Sequence, residues 1–413
     1  MARPSCSGAS PRSRVQGSAT DLQEGSAGVG ARARARIAAM DSVTQVALGS
    51  AIGIAVMGRR TPVWKAAMWG GLCGTLPDLD VFIDHGDAIR NMTFHRAESH
   101  SLFYLSLASV PLGWLATRLR PDGAGFGRWW LATWLALVTH PLLDWLTVYG
   151  TQLALPFTDH PFAVGSVFVI DPLYTLLLVV GITSALVAAR RRPGSGRRWN
   201  LAGLTLATAY LAWGVAVQGH VTSVARASLP HPAAQTGQLL VVPTPFNSIL
   251  WRVLAMDGDS YLEGYYSLLD AGRQISFERY PAGTALREEA GDDWFVNRIA
   301  WFSHGFFRMR REDGVLTISD LRMGQEPSYT FTFALPESPR PAGAGPAGEA
   351  PGKPAPASAA SGRTGPADPP PGEPARGAQS DAPTLMRQRI EWGPSLQWLW
   401  RRMLGSPLPY PGA

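Results

Sequence analysis

Residues 129–149 read WWLATWLALVTHPLLDWLTVY, and they carry a single formal charge, Asp144. Leu, Val, Ala and Trp run round every side of a helix drawn through them, so no polar stripe is left for water. A stretch of this length matches the roughly 20 residues an α-helix needs to cross a bilayer. Three other stretches behave the same way. Residues 101–117 and 199–219 carry no charge, and 167–189 carry only Asp171. Two shorter apolar runs, 43–57 and 63–76, come before them and are joined by the turn Gly58-Arg59-Arg60-Thr61-Pro62. The expected fold class is therefore mainly α: a multi-pass helical membrane bundle of about six helices, followed by a small β-rich domain.

The whole-chain averages hide this segregation. Of the 413 residues, 46% are hydrophobic and 16% charged, against roughly 25% charged in a soluble globular protein. The mean hydropathy is +0.00, because an apolar bundle is averaged with polar segments. The net charge of +6 resolves in the same way. Arg59, Arg60 and Lys65 fall between the first two apolar segments, Arg118, Arg120 and Arg128 between the third and fourth, and Arg190 to Arg192 with Arg197 and Arg198 between the fifth and sixth. By the positive-inside rule these loops lie in the cytoplasm, and everything after about residue 220 lies outside. The basic charge reads as a topology signal, so no nucleic-acid partner is expected. Cys6 and Cys73 are too few for a disulfide framework and match no metal pattern.

The remaining segments differ in kind. Residues 1–39 are Ser-, Gly- and Arg-rich and lack the apolar core of a signal peptide, which suits a disordered extension or a start at Met40. The helical membrane domain is assigned to 40–222. Residues 223–335 form a β-rich extracytoplasmic domain, with alternating apolar and polar runs and turn signals at Asp257-Gly258-Asp259 and Asp313-Gly314. Residues 336–385 hold ten prolines between 341 and 380 and no aromatic residue, and read as a disordered linker. Residues 386–413 carry Trp392, Trp398 and Trp400 among arginines, as an amphipathic interfacial or docking helix does, followed by a tail.

Ionisable residues inside membrane helices are costly and point to function. Here they gather at one level, the outer end of the bundle. Asp78 and Asp80 close the second segment, and His95, Glu98 and His100 open the third. His140 and Asp144 lie four apart on one face of the fourth, and Asp171 begins the fifth. Imidazoles and carboxylates together suit Zn²⁺ or Mn²⁺, and with few histidines Mg²⁺. We therefore expect Asp78, Asp80, His95, His100, His140 and Asp171 as metal ligands, with Asp144 and Glu98 orienting groups or exchanging protons. Simpler readings exist for single members: Asp171 before Pro172 suits a helix N-cap, and His140 with Asp144 suits a hydrogen bond locking two helices.

The ordered motifs MDSVTQVALGSAIG, GTLPDLDVF, FHRAESHSL, THPLLDWLTVYGTQLALPF and VGSVFVIDPLYTL resemble the bacterial membrane-bound metal-dependent hydrolases, also described as LexA-binding, inner-membrane-associated hydrolases. The resemblance covers about 40–220 closely, and the stretch from Val242 to Pro327 is similar to the C-terminal part of one branch. It implies an inner-membrane, metal-dependent hydrolase of a phosphoester or lipid-derived substrate, with a distant likeness to zinc-dependent phospholipase C and nuclease folds. The family's polar positions fall on Asp78, Asp80, His95, His100, His140, Asp144 and Asp171. One departure is Gln45, where many members carry a histidine; an amide is a poor transition-metal ligand. The opposing expectation is a non-catalytic membrane protein with a structural polar cluster, whose outer domain binds an unidentified envelope partner.

Overall fold

The computed structural model describes residues 43–119, 124–192, 194–230, 237–336, 382–386 and 392–406. The expected N-terminal extension, nearly all of the Pro-rich linker and the last residues lie outside the described residues.

The bundle begins with two short helices, α1 (Val43–Met57) and α2 (Val63–Thr75). They approach closely because Gly49 and Gly53 of α1 face Gly70 and Gly74 of α2. A methyl group on Gly49 would run into the Gly70 carbonyl, and one on Gly74 would meet that of Gln45. Small residues four apart on both helices are how membrane helices pack backbone to backbone. A 3₁₀ turn (Pro77–Phe82), a short helix α3 (Ala88–Phe94) and a second 3₁₀ turn (Glu98–His100) lead to α4 (Leu102–Leu119). Then come α5 (Phe126–Trp145), α6 (Pro172–Arg191) and α7 (Gly196–Ser228).

Among the described residues three helices, α4, α6 and α7, are long and apolar enough to cross a membrane. The expected bundle of about six helices is therefore not confirmed as six crossings. Helices α1 and α2 are too short, and Arg128, His140, Asp144 and four tryptophans lower the hydropathy of α5. In the crossing helices only 22–28% of the apolar window is buried. Leu107, Trp114, Val180, Leu206 and Trp213 instead face outward, the arrangement that lipid rewards and water penalises.

At 33 residues, α7 is roughly 50 Å long. The expected boundary at 222 falls within it: Val217, Val221, Val224 and Ala225 pack against Val241, Trp251, Val253 and Tyr266 of the following sheet. That sheet is an antiparallel meander, β1 (Leu239–Pro243), β2 (Leu250–Asp257), β3 (Ser260–Ser267) and β4 (Phe277–Pro281). Two helices not expected from the sequence follow, α8 (Thr284–Ala290) and α9 (Trp294–Phe302). Asp293 caps α9 by accepting from Val296 N–H at 3.0 Å, and Val296, Ile299 and Phe302 form its buried face.

A second sheet has the order β10-β9-β6-β5, from β5 (Phe307–Glu312), β6 (Val315–Asp320), β9 (Thr332–Ala334) and β10 (Thr384–Leu385), beside a hairpin of β7 (Gly324–Gln325) and β8 (Ser328–Tyr329). The β5–β6 turn places Asp313 and Gly314 both at positive φ, 50° and 84°, as a tight type I′ hairpin requires. The last helix, α10 (Trp392–Met403), docks on the first sheet. Trp398 and Met403 are buried with Leu250, and Arg402 pairs with Asp270 at 2.6 Å.

Candidate metal centre at the end of the bundle

Chain direction sets which end of each helix meets the cluster residues. Helix α2 runs toward Asp78, α4 runs away from His100, and α5 runs toward His140 and Asp144. The three Arg-rich connections therefore lie at the opposite end of the bundle from these groups.

Four side chains converge: Asp78, His100, His140 and Asp144, each offering a ligand atom within 4.8 Å of all the others, and all buried. His140 Nε2 lies 3.1 Å from His100 Nε2. It lies 3.2 Å from Asp78 Oδ1 and 3.3 Å from Asp144 Oδ2. His100 Nε2 lies 3.6 Å from Asp78 Oδ1 and 3.3 Å from Asp144 Oδ2. A tetrahedral ion with bonds of roughly 2.0–2.1 Å has ligand–ligand edges of roughly 3.3 Å. The observed separations straddle that length.

Hydrogen bonding assigns the faces of both rings. His140 Nδ1 lies 2.6 Å from the Gly74 carbonyl, which can only accept, so Nδ1 carries a proton, and in the neutral ring Nε2 presents its lone pair. His100 Nδ1 lies 2.8 Å from Ser99 Oγ, and Ser99 Oγ donates to Asp80 Oδ2 at 2.6 Å. The hydroxyl has one proton and gives it to Asp80, so it accepts from His100 Nδ1–H. With both rings neutral, two imidazole lone pairs and two carboxylates face one another in a buried space. Asp78 Oδ2 and Asp144 Oδ2 have no hydrogen-bond partner. Acceptors facing acceptors repel unless a cation or a shared proton lies between them. The donor set, two nitrogens and two oxygens with supported outer nitrogens, fits Zn²⁺ or Mn²⁺.

The other expected residues take different places. Asp80 does not join the four; it holds their frame. Its Oδ1 meets His95 Nδ1 at 2.9 Å, and its Oδ2 accepts from Arg96 N–H at 3.0 Å. Burial works to raise the Asp80 carboxyl, but the hydrogen bond and charge of His95, with His100 and Ser99, outweigh it and hold the group at about 2. His95 is likewise one step out, its ring edge-on to Tyr149. Asp144 was expected as a proton carrier, but its Oδ2 stands among the ligand atoms. Glu98 begins the second 3₁₀ turn and is exposed, outside the set. Asp171 is corrected from ligand to N-cap: Oδ1 accepts from Leu173 and Tyr174 N–H at 3.0 Å, and Oδ2 accepts from Tyr210 OH at 2.8 Å. Both of its oxygens are satisfied inside α6 and α7.

Two residues complete the site. Gln45 is buried, and its Nε2 donates to Asp144 Oδ1 at 3.2 Å. The amide orients a carboxylate instead of binding metal, so the departure at this position leaves the four-atom set intact. Arg96 was passed over in the sequence. It is buried, stands at φ 65°, places Nη2 3.3 Å from Asp144 Oδ1 and lies over the Tyr149 ring. A non-glycine residue in the left-handed region is uncommon, and no spacing rule would have singled it out.

Comparison with known proteins agrees with the bundle reading. Residues 40–221 match the YdjM inner membrane protein family. The uncharacterized protein YfhP of Bacillus subtilis (strain 168) is 34% identical over 142 residues, which is 32% of this chain and 42% of that protein. The chain thus spans less than half the length of this relative. No solved structure matches.

Proposed function

We propose that this chain is an inner-membrane, divalent-metal-dependent hydrolase of phosphoesters, with a lipid-derived substrate approaching along the bilayer surface. The observation that carries this reading is the pair of Nε2 lone pairs 3.1 Å apart, flanked by two carboxylates. Asp78, His100, His140 and Asp144 would hold the ion. When bound, it supplies an activated water and polarises a phosphoryl oxygen. Gly74 and Ser99 fix the ring orientations, Gln45 and Arg96 fix Asp144, and Arg96 offsets part of its charge.

A lipid-derived substrate is favoured by the apolar surface beside the site. Leu79, Phe82 and Ile83 follow Asp78 in sequence and are exposed, Phe82 to 82%. Large apolar side chains at such a level suit insertion among lipid headgroups. The basic connections support an outer-face position for this end of the bundle and for the β-rich region, by the positive-inside rule. Reporter fusions at Gly194 should read cytoplasmic, and fusions after Ser228 external.

The test is metal analysis of the purified full-length protein, wild type against His100→Ala and His140→Ala. About one ion per chain in the wild type and background in both variants is expected. Negligible metal in all three would sink the proposal. Four protein ligands fill a tetrahedron, however, and catalytic sites keep a position open. That observation favours a second reading, an ion that only staples the turn after α2 to α5. A phosphodiester and phospholipid screen with Zn²⁺ and Mn²⁺ separates them: a protein that binds metal but hydrolyses nothing is stapled, not catalytic.

A further inference from the structure

The opposite end of the bundle holds a second charged feature, independent of the metal centre. Six arginines line one cavity of about 760 Å³: Arg59, Arg60, Arg128, Arg192, Arg197 and Arg198. They come from the α1–α2 turn, the start of α5, the end of α6 and the start of α7. Among the described residues no carboxylate lines the cavity. A topology signal needs positive charge only somewhere in these loops. It does not require the loops to converge, nor the guanidinium groups to be held in place.

Here they are held. Arg128 Nη1 donates to the Val56 carbonyl at 3.1 Å, and Arg197 Nε donates to the Ala55 carbonyl at 3.1 Å. Two helices thus hang an arginine on the last turn of α1, where the carbonyls are unsatisfied and the dipole is negative. Arg59 Nε reaches the Gly194 carbonyl at 3.4 Å. Gly194 sits at φ 84°, and a side chain there would press on Arg59 Nε at 2.8 Å. Each of these contacts uses one of a guanidinium's five donors, leaving the fork free for an oxyanion. Val56 and Leu201 add an apolar wall beside the charges.

We propose that this cavity binds a phosphate-bearing anion, a role distinct from hydrolysis at the other end. Clustered guanidinium groups match phosphate oxygens bidentately, and the volume lies within the usual range of ligand cavities. The position at the ends of α6 and α7, with an apolar wall, suits the headgroup of an anionic phospholipid. A soluble phosphate compound carries the same chemistry.

The experiment titrates the full-length protein in zwitterionic detergent with phosphatidylglycerol, phosphatidylcholine or inorganic pyrophosphate, following tryptophan fluorescence; Trp199 stacks with Arg198 beside the cavity. The variant is Arg60→Gln with Arg198→Gln, whose side chains anchor no backbone carbonyl among the described residues, and circular dichroism and gel filtration check its fold. Phosphatidylglycerol bound in preference to phosphatidylcholine, and about 30-fold more weakly by the variant, identifies a lipid headgroup site. Pyrophosphate bound with the same loss identifies a soluble ligand of the proposed class. Wild type that ignores pyrophosphate and prefers neither lipid, or a folded variant that binds as well as wild type, overturns the proposal.

Discussion

Two buried polar networks, one at the end of the bundle and one in the β-rich region, differ in what they leave unsatisfied. In the β-rich region Arg252 Nη2 donates to Glu263 Oε2 at 2.7 Å, Tyr329 OH donates to the same oxygen at 3.2 Å, and Tyr265 OH donates to Oε1 at 2.6 Å. Glu326 accepts from Arg308, from Tyr261 and from Arg310. Burial pushes the Glu263 carboxyl up, but the Arg252 charge and three donors hold it below the usual carboxylate range. What is left over there is donors, Nε of Arg252 and of Arg308. At the end of the bundle acceptors are left over as well: Asp78 Oδ2, Asp144 Oδ2 and Gln45 Oε1 have no hydrogen-bond partner, and two ring nitrogens face each other. Buried charge alone therefore does not mark a site. A deficit of donors does, because only something from outside the chain can supply it.

The largest effect should come from breaking the self-satisfied network. Arg252→Met leaves Glu263 buried without its counter-charge and should cost about 3–5 kcal/mol in chemical denaturation. Asp78→Asn, in metal-free protein, relieves acceptor repulsion and should cost little or nothing. Equal losses in the two variants would erase the distinction between the networks.

Next in size is the ion itself. Metal at about 100 times its dissociation constant should raise stability by about 2.7 kcal/mol, and a chelator should reverse this. Asp78→Asn should abolish the response while leaving the metal-free protein close to wild type. A chelator-insensitive wild type would mean that the two histidines share a proton and that no ion is bound.

How far the chain could be read without coordinates follows the same physics. Apolar runs on all sides of a helix announce lipid, so the long helices were legible. The level of each ionisable residue along its helix was legible too, because chain direction sets it. Which way each one points round the bundle was not. That is why His95, Asp80 and Asp171 entered the ligand set, and why Asp144 was given a different task. Arg96 was hidden because a left-handed backbone at one residue leaves no periodic trace. The glycine seam of α1 and α2 went unread, although Gly49, Gly53, Gly70 and Gly74 are spaced for it. Helices α8 and α9 were taken for strands because WFVNRIAWF is short and its aromatic residues favour strands as well.

The seam between the two regions offers a pH test. His304 Nε2 donates to the Pro161 carbonyl at 2.8 Å. Burial, and then the Arg322 charge, push its pKa down to about 4 from 6.5. Between those values the unfolded chain takes up a proton that the folded one refuses, so stability falls as pH drops from 6.5 toward 4 and levels off below. The ring is partly exposed, and the loss should be about 2 kcal/mol. His304→Gln keeps a donor for Pro161 and should remove this slope. A wild type and variant with parallel pH profiles would show that the seam tolerates the charged ring.

The smallest effect decides between two readings of one residue. Asp171 spends both oxygens on the first turn of α6 and on Tyr210 of α7. As an N-cap it should lose about 1 kcal/mol on Asp171→Ala and much less on Asp171→Asn, whose amide oxygen still accepts from the same N–H groups. Metal content should equal wild type in both, because neither change reaches the four atoms that face one another. A fall in bound metal with an unchanged melting temperature would return Asp171 to the ligand set. It would also mean that the donor deficit reaches beyond Asp78, His100, His140 and Asp144.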